Sequence, residues 1–256
     1  MKAAGSLTVV GLGPGDPQWL TPAASVALEA ATDLVGYRTY LDRVPEMPAQ
    51  QRYSFDNRSE LGRAGLALDL ASQGRRVVVV SGGDPGVFAM AAAVFEAVDQ
   101  GPPAWRDLDI RVEPGVTAMV AAAARVGAPL GNDFCAISLS DNLKPWATIE
   151  HRLRAAAAAD FVIALYNPAS MARPHQLEDA LRIVAEMRDP DTPVIFARAV
   201  GRPEERIAVE RLGEAGSVAA DMATIVVIGA TTTRRIDRGA EVLPYVYTPR
   251  IIRARC

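Results

Sequence analysis

Three glycine-rich segments have the composition of ligand-binding loops. They read Gly-Leu-Gly-Pro-Gly-Asp at residues 11–16, Ser-Gly-Gly-Asp-Pro-Gly-Val-Phe at residues 81–88 and Pro-Gly-Val-Thr-Ala at residues 114–118. Each follows a short apolar run and precedes a helical pattern. Glycine lets a backbone approach a ligand closely, and α/β sheets bind ligands at the carboxyl ends of their strands. The three segments therefore predict a ligand-binding rim at one edge of a sheet.

The first segment departs from the dinucleotide-binding fingerprint. The third glycine of that pattern would fall on Asp16, and Pro14 lacks the N–H group that a pyrophosphate would use. A nicotinamide-dependent dehydrogenase is therefore disfavoured. A purely structural role for these turns stays open, with Asp84 capping the helix that Pro85 would start.

Residues for nucleophilic or metal chemistry are scarce in this sequence. His151 and His175 are isolated, and Cys135 stands in an apolar run. The two cysteines, Cys135 and Cys256, have neither metal-binding spacing nor a disulfide framework. We expect no metal site and a reduced, cytoplasmic protein.

The elements that position these residues alternate between β-branched runs and alanine-rich helical stretches. This alternation predicts an α/β fold with largely parallel sheets covered on both faces. The predicted strands are 7–12, 75–81, 110–113, 134–139, 160–166, 193–199 and 224–228, and the predicted helices are 21–31, 59–73, 85–98, 146–158 and 173–188.

A break near residues 114–132 predicts two α/β lobes with a ligand cleft between them. We place the N-terminal lobe at residues 1–127 and the C-terminal lobe at residues 128–248. Residues 249–256 are expected to form a loose basic tail.

Composition restricts the class of partner. The 256 residues carry 27 Lys and Arg against 30 Asp and Glu, which gives a net charge of −3, and only 6% are aromatic. These values disfavour nucleic-acid binding. No apolar run approaches the roughly 20 residues that span a bilayer, so we expect no membrane partner.

Taken together, the motifs resemble those of the tetrapyrrole methylase family. The matching segments run in order through residues 8–230: residues 10–17 with Leu20 and Thr21, then Gly-Gly-Asp-Pro at 82–85, Pro-Gly-Val-Thr at 114–117 and Thr-Ile-Val-Val-Ile-Gly at 224–229. The resemblance implies two α/β lobes and methyl transfer from S-adenosylmethionine, with S-adenosylhomocysteine as the second product.

Three further segments are most similar to the corrin branch of that family. They are Val-Gly-Tyr-Arg-Thr-Tyr at 35–40, Ser-Leu-Ser-Asp at 138–141 with Pro145 and Trp146, and Leu-Tyr-Asn-Pro at 165–168. The resemblance implies methylation of C17 of precorrin-3B, with contraction of the macrocycle to precorrin-4, in cobalamin biosynthesis. Methylation at C20 or C11, the anaerobic C17 reaction on a cobalt-bearing substrate, and a non-catalytic tetrapyrrole carrier remain as alternatives.

The family resemblance also implies a set of residues that bind S-adenosylmethionine, mainly through backbone groups. In the N-terminal lobe these are Pro14, Gly82, Gly83, Asp84, Val87, Thr117 and Ala118, and in the C-terminal lobe Tyr166, Asn167, Ala199, Val200, Thr224 and Ile225. A strand-end turn is the alternative role for Tyr166 and Asn167, and a hydroxyl bonded within its own sheet is the alternative for Thr224.

The implied substrate carries acetate and propionate groups, which favour binding by basic side chains. The candidates in loops or at strand ends are Arg38, Arg52, Lys144, Arg198 and Arg202, each of which could equally be a solvated surface charge. Ring contraction is assisted by loss of the C20 hydroxyl proton, and Asp141 and Asp84 are the candidate bases. A role of the substrate's own groups stays open. The family resemblance further implies a homodimer.

Overall fold

The computed structural model describes residues 5–56, 59–239 and 242–251 and contains two compact units, Met1–Ala118 and Met119–Cys256. The boundary predicted after residue 127 falls within the second unit, where it would divide the short strand Gly127–Ala128. That strand pairs with Val246 and Tyr247, so it belongs with the C-terminal residues.

The sheet of the first unit has five parallel strands in the order β3-β2-β4-β1-β5. The strands are β1 Ser6–Gly11, β2 Asp33–Tyr37, β3 Gln51–Phe55, β4 Arg76–Ser81 and β5 Asp109–Glu113. The sequence patterns identify β1, β4 and β5 to within one residue at each end. They miss β2, which contains Gly36, and the half-exposed β3.

Helices cover both faces of this sheet, as the continuous apolar strands predict. The helices are α1 Pro22–Ala30, α2 Arg38–Leu41, α3 Glu60–Ser72 and α4 Met90–Gln100, with 3-10 turns at Pro17–Trp19 and Pro103–Asp107. Leu7, Val9 and Val79 lie in the core cluster that α3 and α4 cover, whereas Val10 and Val80 lie in the cluster that α1 and α2 cover.

Two helix starts in the first unit show what the local signals determine. Thr21 caps α1 as predicted, because its hydroxyl accepts from the N–H of Ala24 at 3.2 Å. The helix expected to begin at Pro85 begins instead at Met90. The intervening segment is a turn in which Phe88 has φ of 53°, a conformation that no α-helix contains.

The sheet of the second unit has the order β10-β9-β11-β8-β7. The strands of this unit are β6 Gly127–Ala128, β7 Phe134–Ser138, β8 Val162–Tyr166, β9 Pro193–Arg198, β10 Arg206–Arg211, β11 Thr224–Ile228, β12 Arg234–Ile236 and β13 Tyr245–Tyr247. The expectation of a largely parallel sheet is wrong for this five-stranded sheet, in which β7 and β8 form the one parallel pair among the described residues. The chain between β9 and β11 contains no α-helix, and such short connections favour antiparallel neighbours.

Helix α5 Ala118–Val126 begins at the last residue of the first unit and continues into the second. The other helices of the second unit are α6 Trp146–Ala158 and α7 Gln176–Ala185, with a 3-10 turn at Ala215–Ser217. Helices α6 and α7 bury Leu153, Leu181 and Val184 against Ile163 and Val226 of the sheet. Strands β12, β13 and β6 form a small separate sheet.

The C-terminal segment is only partly described. The buried hydroxyl of Thr248 donates to the carbonyl of Pro129 at 2.5 Å, which anchors the chain just before the predicted tail. Most of that tail, including Cys256, lies outside the described residues.

Candidate active site

The three glycine-rich loops of the first unit meet at the carboxyl edge of its sheet, as their sequences predict. The N–H of Gly13 donates to the carbonyl of Gly83 at 3.1 Å, and the N–H of Gly83 donates to the carbonyl of Gly13 at 3.0 Å. These reciprocal bonds join the loop after β1 to the loop after β4.

Glycine is required where these loops cross. A Cβ atom on Gly115 would lie 2.3 Å from the carbonyl oxygen of Gly83, and one on Gly11 would lie 2.7 Å from the same oxygen. Both distances are shorter than real Cβ atoms show, so a side chain at either position would force the loops apart.

Asp84 joins the second loop to the third. Its Oδ1 accepts from the N–H of Gly86 at 2.8 Å, and its Oδ2 accepts from the N–H of Gly115 at 3.1 Å. Both carboxylate oxygens therefore bond to backbone groups. This geometry favours the structural alternative for Asp84 over its role as a base.

Thr117 and Ala118, two more of the predicted cofactor residues, lie near Gly83. Gly83 has φ of 65°, and a Cβ built on it would lie 3.9 Å from Cα of Thr117 and 4.0 Å from N of Ala118. Pro14 is buried and Val87 is half-buried. A Cβ on Gly82 would lie 2.7 Å from the ring of Tyr40, so this glycine makes room for an aromatic side chain.

Arg43 supports the first loop, although the sequence patterns do not single it out. Its Nη2 donates to the carbonyls of Leu12 and Gly13, each at 3.0 Å. These partners are about thirty residues earlier in the chain, so no local spacing reveals the contact.

The predicted cofactor residues of the second unit lie along one edge of its sheet. Tyr166 ends β8, Ala199 and Val200 follow β9, and Thr224 begins β11. Since β11 runs antiparallel to both neighbours and Thr224 pairs with Arg198, the start of β11 lies beside the ends of β8 and β9. Val200, Thr224 and Ile225 are buried.

Two residues at this edge have left-handed backbones without being glycine. Asn167 has φ of 53° and Ala199 has φ of 50°. The side-chain amide of Asn167 donates to Oγ of Ser138 at 2.9 Å, and the hydroxyl of Tyr166 accepts from the N–H of Met119 at 3.2 Å. Such backbones persist where the surroundings hold them, and they are common at binding sites.

Thr224, Asp221 and Arg198 form a polar cluster at the start of β11. The hydroxyl of Thr224 donates to Oδ1 of Asp221 at 2.8 Å, and Nε of Arg198 donates to Oδ2 at 2.8 Å. Burial acts to raise the pKa of Asp221, but the hydrogen bonds from Thr224, Arg198 and the N–H of Ala223 together hold the pKa below its ordinary value. The Thr224 hydroxyl therefore bonds to the loop just before its own strand. This contact resembles the structural role considered for Thr224, in which the hydroxyl bonds within its own sheet.

Asp141 lies half-buried in the loop after β7. Its Oδ2 accepts from the side-chain amide of Gln176 at 3.4 Å, and its Oδ1 lies 3.8 Å from Nε of Arg173. Arg173 is buried and was not identified from the sequence. Among the described residues, the polar partners found for the Asp141 carboxylate are side chains. Those of the Asp84 carboxylate are backbone N–H groups.

The five basic candidates differ in their surroundings. Arg38 is exposed and Arg202 is half-buried, while Arg198 pairs with Asp221. Arg52 donates to the carbonyl of Leu41 at 3.1 Å and to that of Val44 at 2.9 Å, which makes it a weaker candidate for a substrate carboxylate. Burial, with a smaller effect of Arg152, lowers the pKa of Lys144.

Other groups of the described residues give no sign of a second chemistry. His151 lies exposed on α6 and His175 lies exposed at the start of α7. Within residues 5–56, 59–239 and 242–251, no three His, Cys, Asp or Glu side chains are grouped to hold a metal ion. In the same ranges, no helix is long and apolar enough to cross a bilayer.

The loop geometry fits S-adenosylmethionine. The space beside Gly83 is lined by the backbone of Thr117 and Ala118, within 4.0 Å of where a side chain would begin. Backbone groups and small side chains suit a compact, partly cationic ligand. The predicted location of this ligand between two lobes remains a prediction.

The chain belongs to the tetrapyrrole (corrin/porphyrin) methylases, because the model of that family matches residues 6–216. It is therefore an enzyme, a methyltransferase that uses S-adenosylmethionine.

Individual relatives belong to cobalamin biosynthesis. The chain is 57% identical over 246 residues to a precorrin-3B C(17)-methyltransferase of a Sinorhizobium species, with 96% of each chain covered. It is 48% identical to the cobalamin biosynthesis protein CobIJ of Mycobacterium bovis, covering 96% of this chain but only 48% of that longer protein. The crystal structure of the methyltransferase CobJ superposes with a TM-score of 0.89 at 50% identity, covering 96% of this chain and 100% of that one.

Proposed function

We propose that this enzyme transfers a methyl group from S-adenosylmethionine to C17 of precorrin-3B and contracts the macrocycle to give precorrin-4. The observation that carries the proposal is the 57% identity to a precorrin-3B C(17)-methyltransferase over 96% of both chains. The alignment covers 246 residues, or 96% of this chain, so the relative's reaction is the best-supported one.

The first unit contributes a rigid backbone surface to the reaction. Bound S-adenosylmethionine supplies an electrophilic methyl group, and its transfer to carbon leaves S-adenosylhomocysteine. Transfer between two bound partners depends on their alignment, which can supply much of the rate acceleration. The Gly13–Gly83 bonds and the bonds to Asp84 fix the three loops before any ligand arrives. Such loops lose little freedom on binding, which favours affinity and alignment.

The second unit contributes the candidate base. Asp141 follows β7, and the parallel pairing of Ser138 with Tyr166 brings its loop to the edge that contains Tyr166 and Asn167. We assign Asp141 to accept the C20 hydroxyl proton during ring contraction. The electron pair left on oxygen then forms a carbonyl bond at C20 while one of the two bonds from C20 to its neighbouring ring carbons breaks. The carbon released from C20 carries that bonding pair to the other neighbour, which methylation at C17 has made electron-deficient, so the ring closes without C20 and C20 becomes an exocyclic carbonyl carbon. Asp84 is the weaker candidate because both of its oxygens accept backbone N–H groups.

Lys144 is proposed to bind a substrate carboxylate. It is half-buried in the loop before α6, and burial, with a smaller effect of Arg152, lowers its pKa. Arg38, Arg198 and Arg202 are proposed for the same role of binding a substrate carboxylate.

The deciding experiment is product analysis with purified enzyme. Precorrin-3B and S-adenosylmethionine are incubated with the protein, and mass spectrometry reports the added methyl group while NMR reports its position and the ring contraction. Methylation at C17 with contraction is the expected result. Methylation at C20 or C11, or turnover of only a cobalt-bearing substrate, would overturn the proposal in favour of the corresponding alternative.

Two further proposals concern the state of the enzyme in the cell. We propose a cytoplasmic location, which is consistent with a tetrapyrrole substrate and with a sequence that contains only two cysteines. We also propose that the enzyme is a homodimer, as the family resemblance implies.

A further inference from the structure

Arg173 is a buried arginine that the proposed chemistry does not use directly. It lies between β8 and α7, with 7% of its surface exposed. Its Nη1 donates to the carbonyl of Leu139 at 3.3 Å and to the carbonyl of Asn167 at 3.4 Å. Its Nη2 donates to the sulfur of Met222 at 3.4 Å.

These partners lie in three separate segments of the second unit. Leu139 follows β7, Asn167 follows β8 and Met222 precedes β11, and the Arg173 Nε also lies 3.8 Å from Oδ1 of Asp141. A guanidinium group has five N–H donors in a fixed planar arrangement, so its acceptors must hold matching positions. One side chain therefore fixes the relative positions of three loops at one sheet edge.

Asn167 is the partner whose conformation most needs support. Its φ of 53° is uncommon for a residue other than glycine. The chain after it folds back, because the N–H groups of Ser170 and Arg173 each donate to the other's carbonyl, at 3.0 and 2.9 Å. The Arg173 side chain then returns to the Asn167 carbonyl and closes this turn.

We propose that Arg173 is a positioning residue for the methyl transfer and ring contraction. It holds the backbone of Asn167, a proposed cofactor contact, and the carboxylate of Asp141, the proposed base, in one arrangement. The inference rests on the proposed function, and it assigns to Arg173 no contact with cofactor or substrate.

The same unit contains a matched control at the other end of β8. Arg188 is equally buried, donates to the carbonyl of Phe161 at 3.0 Å and pairs with Asp160. Phe161 precedes β8 while Asn167 follows it, so Arg188 supports the opposite edge of the sheet. Loss of either arginine removes a donor from a backbone carbonyl and a cation from a half-buried carboxylate, but only Arg173 touches the proposed site.

The test compares Arg173→Met, Arg173→Lys and Arg188→Met with the wild type. Calorimetry measures affinity for S-adenosylhomocysteine, thermal unfolding measures stability, and steady-state kinetics with precorrin-3B gives kcat and KM. We expect Arg173→Met to weaken S-adenosylhomocysteine binding by about tenfold or more, and to lower kcat. Arg173→Lys should recover part of both, because an ammonium group can still donate to one of the carbonyls. Arg188→Met should lower the unfolding temperature but keep wild-type affinity and kcat.

Two results would overturn the proposal. One is wild-type affinity and kcat in Arg173→Met. The other is an equal loss in Arg188→Met, which would assign the effect to general loosening of the unit. If Arg173→Met does not fold, Arg173→Lys decides, since wild-type affinity and kcat in that folded variant would also overturn it. Failure of the proposed function is distinguishable, because the wild-type enzyme itself would then not convert precorrin-3B.

Discussion

At the scale of single residues, the two candidate bases differ in what their oxygens contact. Asp84 accepts N–H groups from Gly86 and Gly115, so it holds two loops together. Asp141 contacts only the side chains of Gln176 and Arg173 among its described polar partners. We therefore propose separable roles for the two carboxylates, structural for Asp84 and chemical for Asp141.

Replacing Asp141 tests the chemical role. Asp141→Asn keeps the shape of the side chain but removes the base, and loss of a general base typically slows a reaction by roughly 10²–10⁴. We expect slow formation of contracted product, accumulation of a methylated, uncontracted species, and unchanged S-adenosylmethionine affinity. Mass spectrometry of quenched reactions and calorimetry measure these quantities. Wild-type turnover by this variant would assign the proton to the substrate or to another residue.

Replacing Asp84 tests the structural role. In Asp84→Asn an NH₂ group takes the place of one oxygen, so one of the two N–H donors loses its acceptor and the other keeps only an uncharged one. We expect the free energy of unfolding to fall by about 1–3 kcal/mol, measured by urea denaturation. Asp191→Asn, which removes an exposed surface carboxylate, is the control and should leave the urea midpoint nearly unchanged. A normal midpoint in Asp84→Asn, together with a large loss of kcat, would make Asp84 the base instead.

At the scale of elements, the glycine loops depend on close backbone approach. Gly115 lies where a Cβ would be 2.3 Å from the Gly83 carbonyl, whereas a Cβ on Gly216 would have no atom within 4 Å. A substitution to alanine should therefore disturb the structure at Gly115 and leave it unchanged at Gly216.

We expect Gly115→Ala to lower the free energy of unfolding by about 1–3 kcal/mol, because the loops after β4 and β5 must separate. The same separation should weaken S-adenosylhomocysteine binding, measured by calorimetry. Gly216→Ala is the matched control and should change neither quantity. Tight binding by a folded Gly115→Ala variant would show that the cofactor does not use these loops.

The turn before β11 predicts a pH dependence. The folded-state pKa of Asp221 is lowered, so its contribution to stability is complete above the ordinary aspartate pKa of about 4 and is lost as the pH falls below it. The urea midpoint of Asp221→Asn should therefore be lower than that of the wild type at neutral pH, and the difference should disappear in strong acid. Asp191→Asn, which removes an exposed surface carboxylate, provides the control. A difference that persists unchanged in acid would contradict the assignment.

At the scale of the whole molecule, the prediction concerns assembly. We expect a homodimer, with a mass twice that of the chain by light scattering across a range of concentrations. The expectation comes from the family resemblance. Large apolar side chains such as Val120, Phe134 and Tyr245 are about half exposed on the second unit, and their burial against a second copy would favour association. A monomer mass at all concentrations would contradict this expectation.

The sequence by itself determined the features that depend on neighbours along the chain. Valine-rich runs predicted β1 and β4, Thr21 followed by Pro22 predicted the start of α1, and the order of the glycine motifs indicated the family. Because the three loops follow parallel strands, their meeting at one edge was also predictable.

Only the tertiary structure decided the features that depend on residues distant in the chain. The antiparallel order of the second sheet, the bond from Gly115 to Asp84 and the three loops joined by Arg173 have no local pattern. Each depends on which segments the packed core brings together, and a side chain that reaches a backbone carbonyl can use almost any residue type as its partner. For that reason the sequence identified the candidate loops, whereas the fold distinguished the residues that hold them from the residue proposed to act on the substrate.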